Sequence, residues 1–205
     1  MPVEPATKRA VTFFDGQNLY HCAREAFGFT YPNYDVMALS RYICKTHDWE
    51  LKQVRFYTGY PSLGDDPYWH NFWEKKLLSI TRQGAFKYTR QLRYRMKKFK
   101  FGSGVEIEQM VGEEKGIDIR IALDLVRLAR NGDYDVAVVF SQDQDLSEAV
   151  DEVRAISMSQ ARWIKVVSAY PLGNSSLNKR GINKTEWIKL GRAEYEACID
   201  QTDYR

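Results

Sequence analysis

Two carboxylates two residues apart, Asp143 and Asp145, stand in Ser141-Gln142-Asp143-Gln144-Asp145, directly after the apolar run Val136 to Phe140. A short apolar run of this kind reads as a buried strand, and acids crowded at its end are costly unless something positive joins them. Asp15 closes a second such run, Ala10-Val11-Thr12-Phe13-Phe14, and Asp118 lies in Lys115-Gly116-Ile117-Asp118 at the start of an amphipathic helix. Acids brought together raise one another's pKa or recruit a cation, and an all-oxygen donor set suits Mg2+ or Mn2+. Two or three carboxylates around such ions polarise a phosphodiester, lower the pKa of an attacking water and stabilise the leaving oxygen. The competing explanation is helix capping, since Asp15 before Gly16-Gln17-Asn18 and Asp143 before Gln144 are placed to accept backbone N–H groups, and Asp145 to favour a helix dipole. Four acids at strand ends or helix starts weigh against capping alone.

The elements that must position these acids follow from periodicity. Apolar runs of about five residues alternate with longer segments of helical period, the pattern of an α/β fold with a mostly parallel sheet. Strands are predicted near 10–15, 52–58, 84–89, 134–140 and 163–168, and helices near 17–27, 34–48, 67–82, 115–131 and 144–157. The fourth helix is the clearest: Ile117, Ile121, Leu125 and Leu128 share one face, and Asn131-Gly132 supplies a stop. Ligands of an open parallel sheet bind beyond the carboxyl ends of its strands, which is where Asp15, Asp143 and the first turn holding Asp118 would meet. Asp124 is about 240° round the helix from Asp118, so it supports the pocket indirectly or pairs with Arg120 or Arg127.

Between Glu74 and Glu106 the chain has no acid, while the stretch from Lys87 to Phe101 interleaves Lys87, Arg90, Arg93, Arg95, Lys97 and Lys98 with Tyr88, Tyr94 and Phe99. Cations attract a phosphate backbone and exposed rings stack on unpaired bases, a combination suited to single-stranded or looped RNA. Gly102-Ser103-Gly104 separates this stretch from the alternating Val105 to Met110, so a basic β-hairpin or arm is expected near 90–112. Lys115 is a further phosphate contact. Pro171 to Asn183 reads as a loop, Trp187 to Leu190 as a short strand and Glu194 to Asp200 as a terminal helix.

At 205 residues and 44% apolar content the chain suits one well-buried domain, here 10–170, with a tail at 1–9 and a C-terminal loop, strand and helix at 171–205 packed on it. Its three cysteines are widely spaced and lack metal-ligand patterns, and no stretch is apolar enough for a membrane span or a signal-peptide core. A cytoplasmic protein with no membrane association is the resulting expectation. Trp- and Tyr-rich helices leave room for a homodimer. His21, His47 and His70 are isolated and read as structural.

Three blocks in order, Phe13-Phe14-Asp15-Gly16-Gln17-Asn18, Lys115-Gly116-Ile117-Asp118 with Asp124 beyond, and Ser141-Gln142-Asp143-Gln144-Asp145-Leu146, resemble the NYN domain family of PIN-like nucleases. The resemblance spans about residues 10 to 170. It implies a Rossmann-like sheet with an acidic pocket at its C-terminal edge that binds divalent metal and cleaves RNA. Asp15, Asp118 and Asp143 match the metal-coordinating acids, Asp145 a further acid of the pocket, Asn18 a polar residue beside it, and Ser141 a small residue shaping the turn. Gln142 stands where the family commonly has Gly, and Leu146 where it commonly has Phe.

The leading function is thus a Mg2+- or Mn2+-dependent endoribonuclease with Asp15, Asp118, Asp143 and Asp145 as its acids, leaving 5′-phosphate and 3′-hydroxyl ends because water attacks. The rival is a non-catalytic RNA-binding or regulatory protein of the same fold, acting by occupancy. A phosphoacceptor pocket fits poorly because Asp15-Gly16-Gln17 lacks a second acid, and a dinucleotide site is excluded because no GxGxxG follows the first strand.

Overall fold

The computed structural model describes residues 2–100 and 106–204. Among these residues, six strands build one parallel sheet: β1 (Lys8–Asp15), β2 (Trp49–Tyr60), β3 (Phe86–Gln91), β6 (Val136–Phe140), β7 (Lys165–Pro171) and β8 (Glu186–Leu190). Their order is β3-β2-β1-β6-β7-β8. The chain runs outward from β1 in one direction, then returns to β6 and runs outward in the other, so the connections diverge between β1 and β6. Such a switch point leaves a crevice beyond the strand ends.

The helices are α1 (Gly16–Phe27), α2 (Val36–Thr46), α3 (Pro67–Arg82), α4 (Ile117–Asn131), α5 (Ser147–Ser159) and α6 (Arg192–Glu196). Strand alternation sorts the core into two layers. Ala10 and Phe14 of β1 pack with Leu19, Leu39 and Phe72 on the side of α1, α2 and α3. Val11 and Phe13 face the other way, with Ile121 and Leu125 of α4 and Val150 and Val153 of α5. Every residue of β6 is buried, as expected of a central parallel strand covered on both faces.

This alternation aims the site. Asp15 is two residues beyond Phe13 and so belongs to the face covered by α4, while Thr12, just before Phe13, faces α2 and bonds Ser40 Oγ at 2.8 Å. The α4 stripe is as expected: Ile117, Ile121, Leu125 and Leu128 are buried, and Gly132 ends the helix at φ +78°. Asp35 and Asp66 cap α2 and α3, Asp66 with Pro67 at the first helical position, so α2 begins at Val36 rather than at 34.

Other expectations shift: the strands sought at 134–140 and 163–168 run Val136–Phe140 and Lys165–Pro171. The strand sought at 84–89 begins at Phe86, because Gly84 turns at φ +92°. The helix expected from 144 begins with a separate 3-10 turn, Gln144–Leu146, and its regular part starts at Ser147. The terminal helix is shorter and earlier than expected, Arg192–Glu196. The basic segment does form an antiparallel ribbon, β4 (Arg93–Lys100) with β5 (Glu106–Glu113), while the expected Gly102-Ser103-Gly104 turn lies outside the described residues. Beyond the expected loop, β8 extends the sheet beside β7, and the buried Lys76 ammonium of α3 donates to Tyr34 O at 2.9 Å and Asp200 Oδ2 at 3.0 Å, tying the C-terminal segment to the core. Among the described residues no helix is long and apolar enough to cross a membrane.

Candidate active site

At the switch point Asp15, Asp118 and Asp143 line one open cleft of about 550 Å³, together with Glu114. Asp15 arrives at the end of β1 and caps α1: its Oδ1 accepts from Asn18 N at 3.0 Å, and Ser141 Oγ lies 3.5 Å from its Oδ2. Asp143 follows β6 and accepts from Asp145 N at 3.0 Å, while its own N–H donates to Ser141 Oγ at 3.1 Å. Capping and convergence thus coexist, because a carboxylate that gives one oxygen to a backbone N–H keeps another for the cleft. Asp118 enters from the first turn of α4. That helix is preceded by Gly116 at its N-cap, whose φ of +74° favours glycine and where a Cβ would come within 2.7 Å of Arg90 Nη1.

The electrostatics are those of anions with too little to balance them. Burial pushes the Asp15 carboxyl up to about 6, the Asn18 N–H opposes this, and the charges of Asp143 and Asp118 add to the rise. Glu114 is raised further, to about 8, by burial and by Asp15 and Asp118, although the Gly59 N–H donates to its Oε2. Oxygen donors that resist ionisation in the company of like charges are what a hard divalent cation would relieve. Among the described residues, no three His, Cys, Asp or Glu stand close enough to hold a metal ion as they lie. The acids share a cleft without closing into a cage.

Residues 9–176 match the NYN domain family. The chain belongs to it. This is a family of PIN-like nucleases. No curated protein matches the chain. Among solved structures, that of Acinetobacter baumannii MurG is similar at 11% identity with a TM-score of 0.32, over 88% of this chain and 45% of that one, too loose a likeness to bear on function.

Within this NYN domain the remaining expected residues divide. Asn18 links the two turns of the site, since its Oδ1 accepts from Gln142 N at 3.0 Å. Ser141 is buried and shapes the turn through the bonds to Asp15 and Asp143 given above, and its carbonyl accepts from Ser168 Oγ at 2.7 Å. Asp145 is exposed and lines not the cleft but a neighbouring groove between α4 and α5, because the 3-10 turn tied by Asp143 carries it outward. Asp124 is buried beneath the site, paired with Arg55 at 2.8 Å, Arg120 at 3.0 Å and Arg127 at 3.0 Å, and it accepts from Tyr57 Oη at 2.9 Å. Burial opposes its ionisation, but these bonds hold its carboxyl below the usual range.

Sequence reasoning missed two features of this domain. Glu114 sits just past β5, and the available signal was an acid four residues before Asp118, where the ribbon hands over to α4. Gln142, in place of the family's common Gly, donates through Nε2 to Arg180 O at 2.8 Å and Asn178 O at 3.3 Å, while Gln144 Nε2 donates to Gly181 O at 2.9 Å. The two glutamines fasten the loop after β7 to the rim of the cleft.

The basic ribbon is more selective than its composition implied. Pairing sets Lys98 opposite Glu108 and Lys100 opposite Glu106, with ion pairs at 3.2 and 2.8 Å, so that face is largely neutralised. The opposite face carries Arg93, Arg95 and Lys97 against Glu113, which meets Lys97 at 2.7 Å and Arg95 at 3.9 Å. Arg93, Arg90 and Lys115 reach the cleft, with Arg90 Nη1 donating to Lys115 O at 3.2 Å. Lys87 is exposed on β3, Tyr94 is half-buried at the ribbon's root, and Phe99 is exposed on β4.

Proposed function

We propose that the protein is a metal-dependent endoribonuclease whose reaction takes place in the cleft between Asp15, Asp118 and Asp143. The observation that carries this reading is the gathering of four acids at the switch point of a NYN domain, two of them, Asp15 and Glu114, pushed up to about 6 and about 8 by burial first and then by neighbouring acids, Asp143 and Asp118 for Asp15, Asp15 and Asp118 for Glu114. Asp15, Asp118 and Asp143 would hold Mg2+ or Mn2+, which when bound polarises the phosphodiester and lowers the pKa of the attacking water. Arg90, Arg93 and Lys115 at the rim neutralise the phosphates of the entering strand. Glu114, pushed up to about 8 by burial and by Asp15 and Asp118, adds less negative charge to the cleft at neutral pH than an ordinary carboxylate would as that strand enters. Ser141 and Asn18 keep the turns of Asp15 and Asp143 in register. We take residues 10–170 as the catalytic unit and the segment 171–205 as its C-terminal cover.

Purified protein incubated with single-stranded and structured RNAs, with Mg2+ or Mn2+ and with EDTA, tests the reading. Metal-dependent internal cuts with 5′-phosphate ends are expected, and Asp143→Asn should abolish them while sparing RNA binding. Absence of metal-dependent cleavage of any RNA, total cellular RNA included, would overturn it. The capping bonds of Asp15 and Asp143 favour one alternative, an RNA-binding protein that acts by occupancy. In that case Asp143→Asn would change nothing.

A further inference from the structure

Beside the acid cleft lies a second recess of about 190 Å³, walled by Tyr20, Trp69, Trp73 and Tyr94 and floored by Gln17 and Gly59. We propose that it is a subsite for one unpaired nucleobase of the strand whose phosphate lies over the acids, an inference that rests on the ribonuclease reading above.

The two recesses adjoin. Asp15 lines one, and the next residues of the chain, Gly16 and Gln17, line the other. Gly59 serves both, since its N–H donates to Glu114 while its carbonyl accepts from Gln17 Nε2 at 3.3 Å. At the root of the ribbon, successive residues point opposite ways, so Arg93 lines the acid cleft and Tyr94 the aromatic recess. Tyr94 is steadied there because Gly112 lies opposite it in the register, and a Cβ at Gly112 would come within 3.1 Å of the tyrosine ring.

The chemistry of the walls divides the same way. Arg90, Arg93 and Lys115 line the acid cleft, whereas among the described residues no Lys or Arg lines the recess and one carboxylate, Asp66, does. A phosphate is repelled from such a place, and a neutral heteroaromatic ring is welcome between aromatic faces. The volume is below the roughly 300 Å³ at which larger ligands begin to fit, which limits the occupant to about one base. Trp69 is half-buried, and it meets Phe72 of the core edge-on, with centroids 5.1 Å apart. The Gln17 amide, oriented by its bond to Gly59 O, keeps its Oε1 and second N–H as polar groups for a base edge.

The test uses the full chain carrying Asp143→Asn, so that RNA is bound and not cut, and a short single-stranded RNA in which one abasic ribose is stepped along the sequence. One position near the site cut by the wild-type protein should lose roughly tenfold in affinity when its base is removed. Adding Tyr94→Ala should weaken the intact RNA by a similar factor and erase the penalty of the abasic ribose. Independently, tryptophan fluorescence should be quenched by the intact RNA, and Trp69→Phe should remove much of that quenching, which covers the case in which Tyr94→Ala perturbs the ribbon. A flat abasic scan, or a fluorescence signal indifferent to Trp69→Phe, in a protein whose wild type still cuts RNA would overturn the base subsite and leave the ribonuclease reading standing. RNA neither bound nor cut would remove both.

Discussion

Two buried carboxylates near the cleft, Asp124 and Asp15, behave in opposite ways. Asp124 is buried on α4 with three arginines and Tyr57 around it, and its carboxyl is held down; Asp15 is equally buried at the end of β1 among other acids, and its carboxyl is pushed up to about 6. Burial alone therefore does not distinguish a structural acid from a functional one. The immediate partners do: Asp124 is ion-paired with three arginines, whereas among the described residues Asp15, Asp118 and Asp143 form no ion pair with the Arg90, Arg93 and Lys115 that line the same cleft. The first arrangement fastens α4 to β2, and the second would draw a cation from solution.

Asp124→Asn should produce the largest effect, because it strands the buried Arg55 guanidinium without its counter-charge. A loss of about 3–5 kcal/mol in denaturant unfolding is expected, with cleavage falling only as the folded fraction falls. Asp15→Asn should do the reverse. Cleavage should drop by more than about 100-fold, beyond what loss of an outer partner costs a metal site, while stability without metal rises by about 2–3 kcal/mol at neutral pH. If Asp15→Asn were as destabilising as Asp124→Asn, the contrast between the two groups would be wrong.

The pH dependence sharpens the comparison. Asp15 and Glu114 have folded pKa values above their unfolded ones, so the stability of their protonated forms is full below about pH 4 and is lost as pH rises through about 6 and about 8. Asp124, held down, contributes the opposite slope only in acid below that range. The melting temperature of the metal-free protein should therefore fall between pH 5 and 8, with Glu114→Gln flattening the upper part and Mn2+ reversing the trend. The smallest effect should come from the ribbon. Arg93→Ala, which removes a cation from the cleft, should weaken RNA severalfold and reduce the salt slope by about 0.7, whereas Lys98→Ala, which removes a partner of Glu108, should do less.

How far the site could be read in advance depended on which interaction positions each residue. Asp15, Asp118 and Asp143 were legible because strand alternation and a helix start are local signals, and these set which edge of the sheet they occupy. Asp145 was not, since its direction is decided by a 3-10 turn that Asp143 ties to the backbone, and two acids two residues apart look alike until that bond forms. Glu114 was hidden at the end of a ribbon whose register the sequence does not state. The same register neutralises Lys98 and Lys100, which composition alone had counted as free positive charge. Gln142 and Gln144 act on carbonyls more than 35 residues away, which no short pattern can show.

The most direct measurement is a crystal soaked in Mn2+ and examined by anomalous diffraction. The expected result is a peak between Asp15, Asp118 and Asp143, with none beside Asp124. A cleft without manganese at concentrations that support RNA cleavage, or a peak only at a site remote from these three acids, would contradict it.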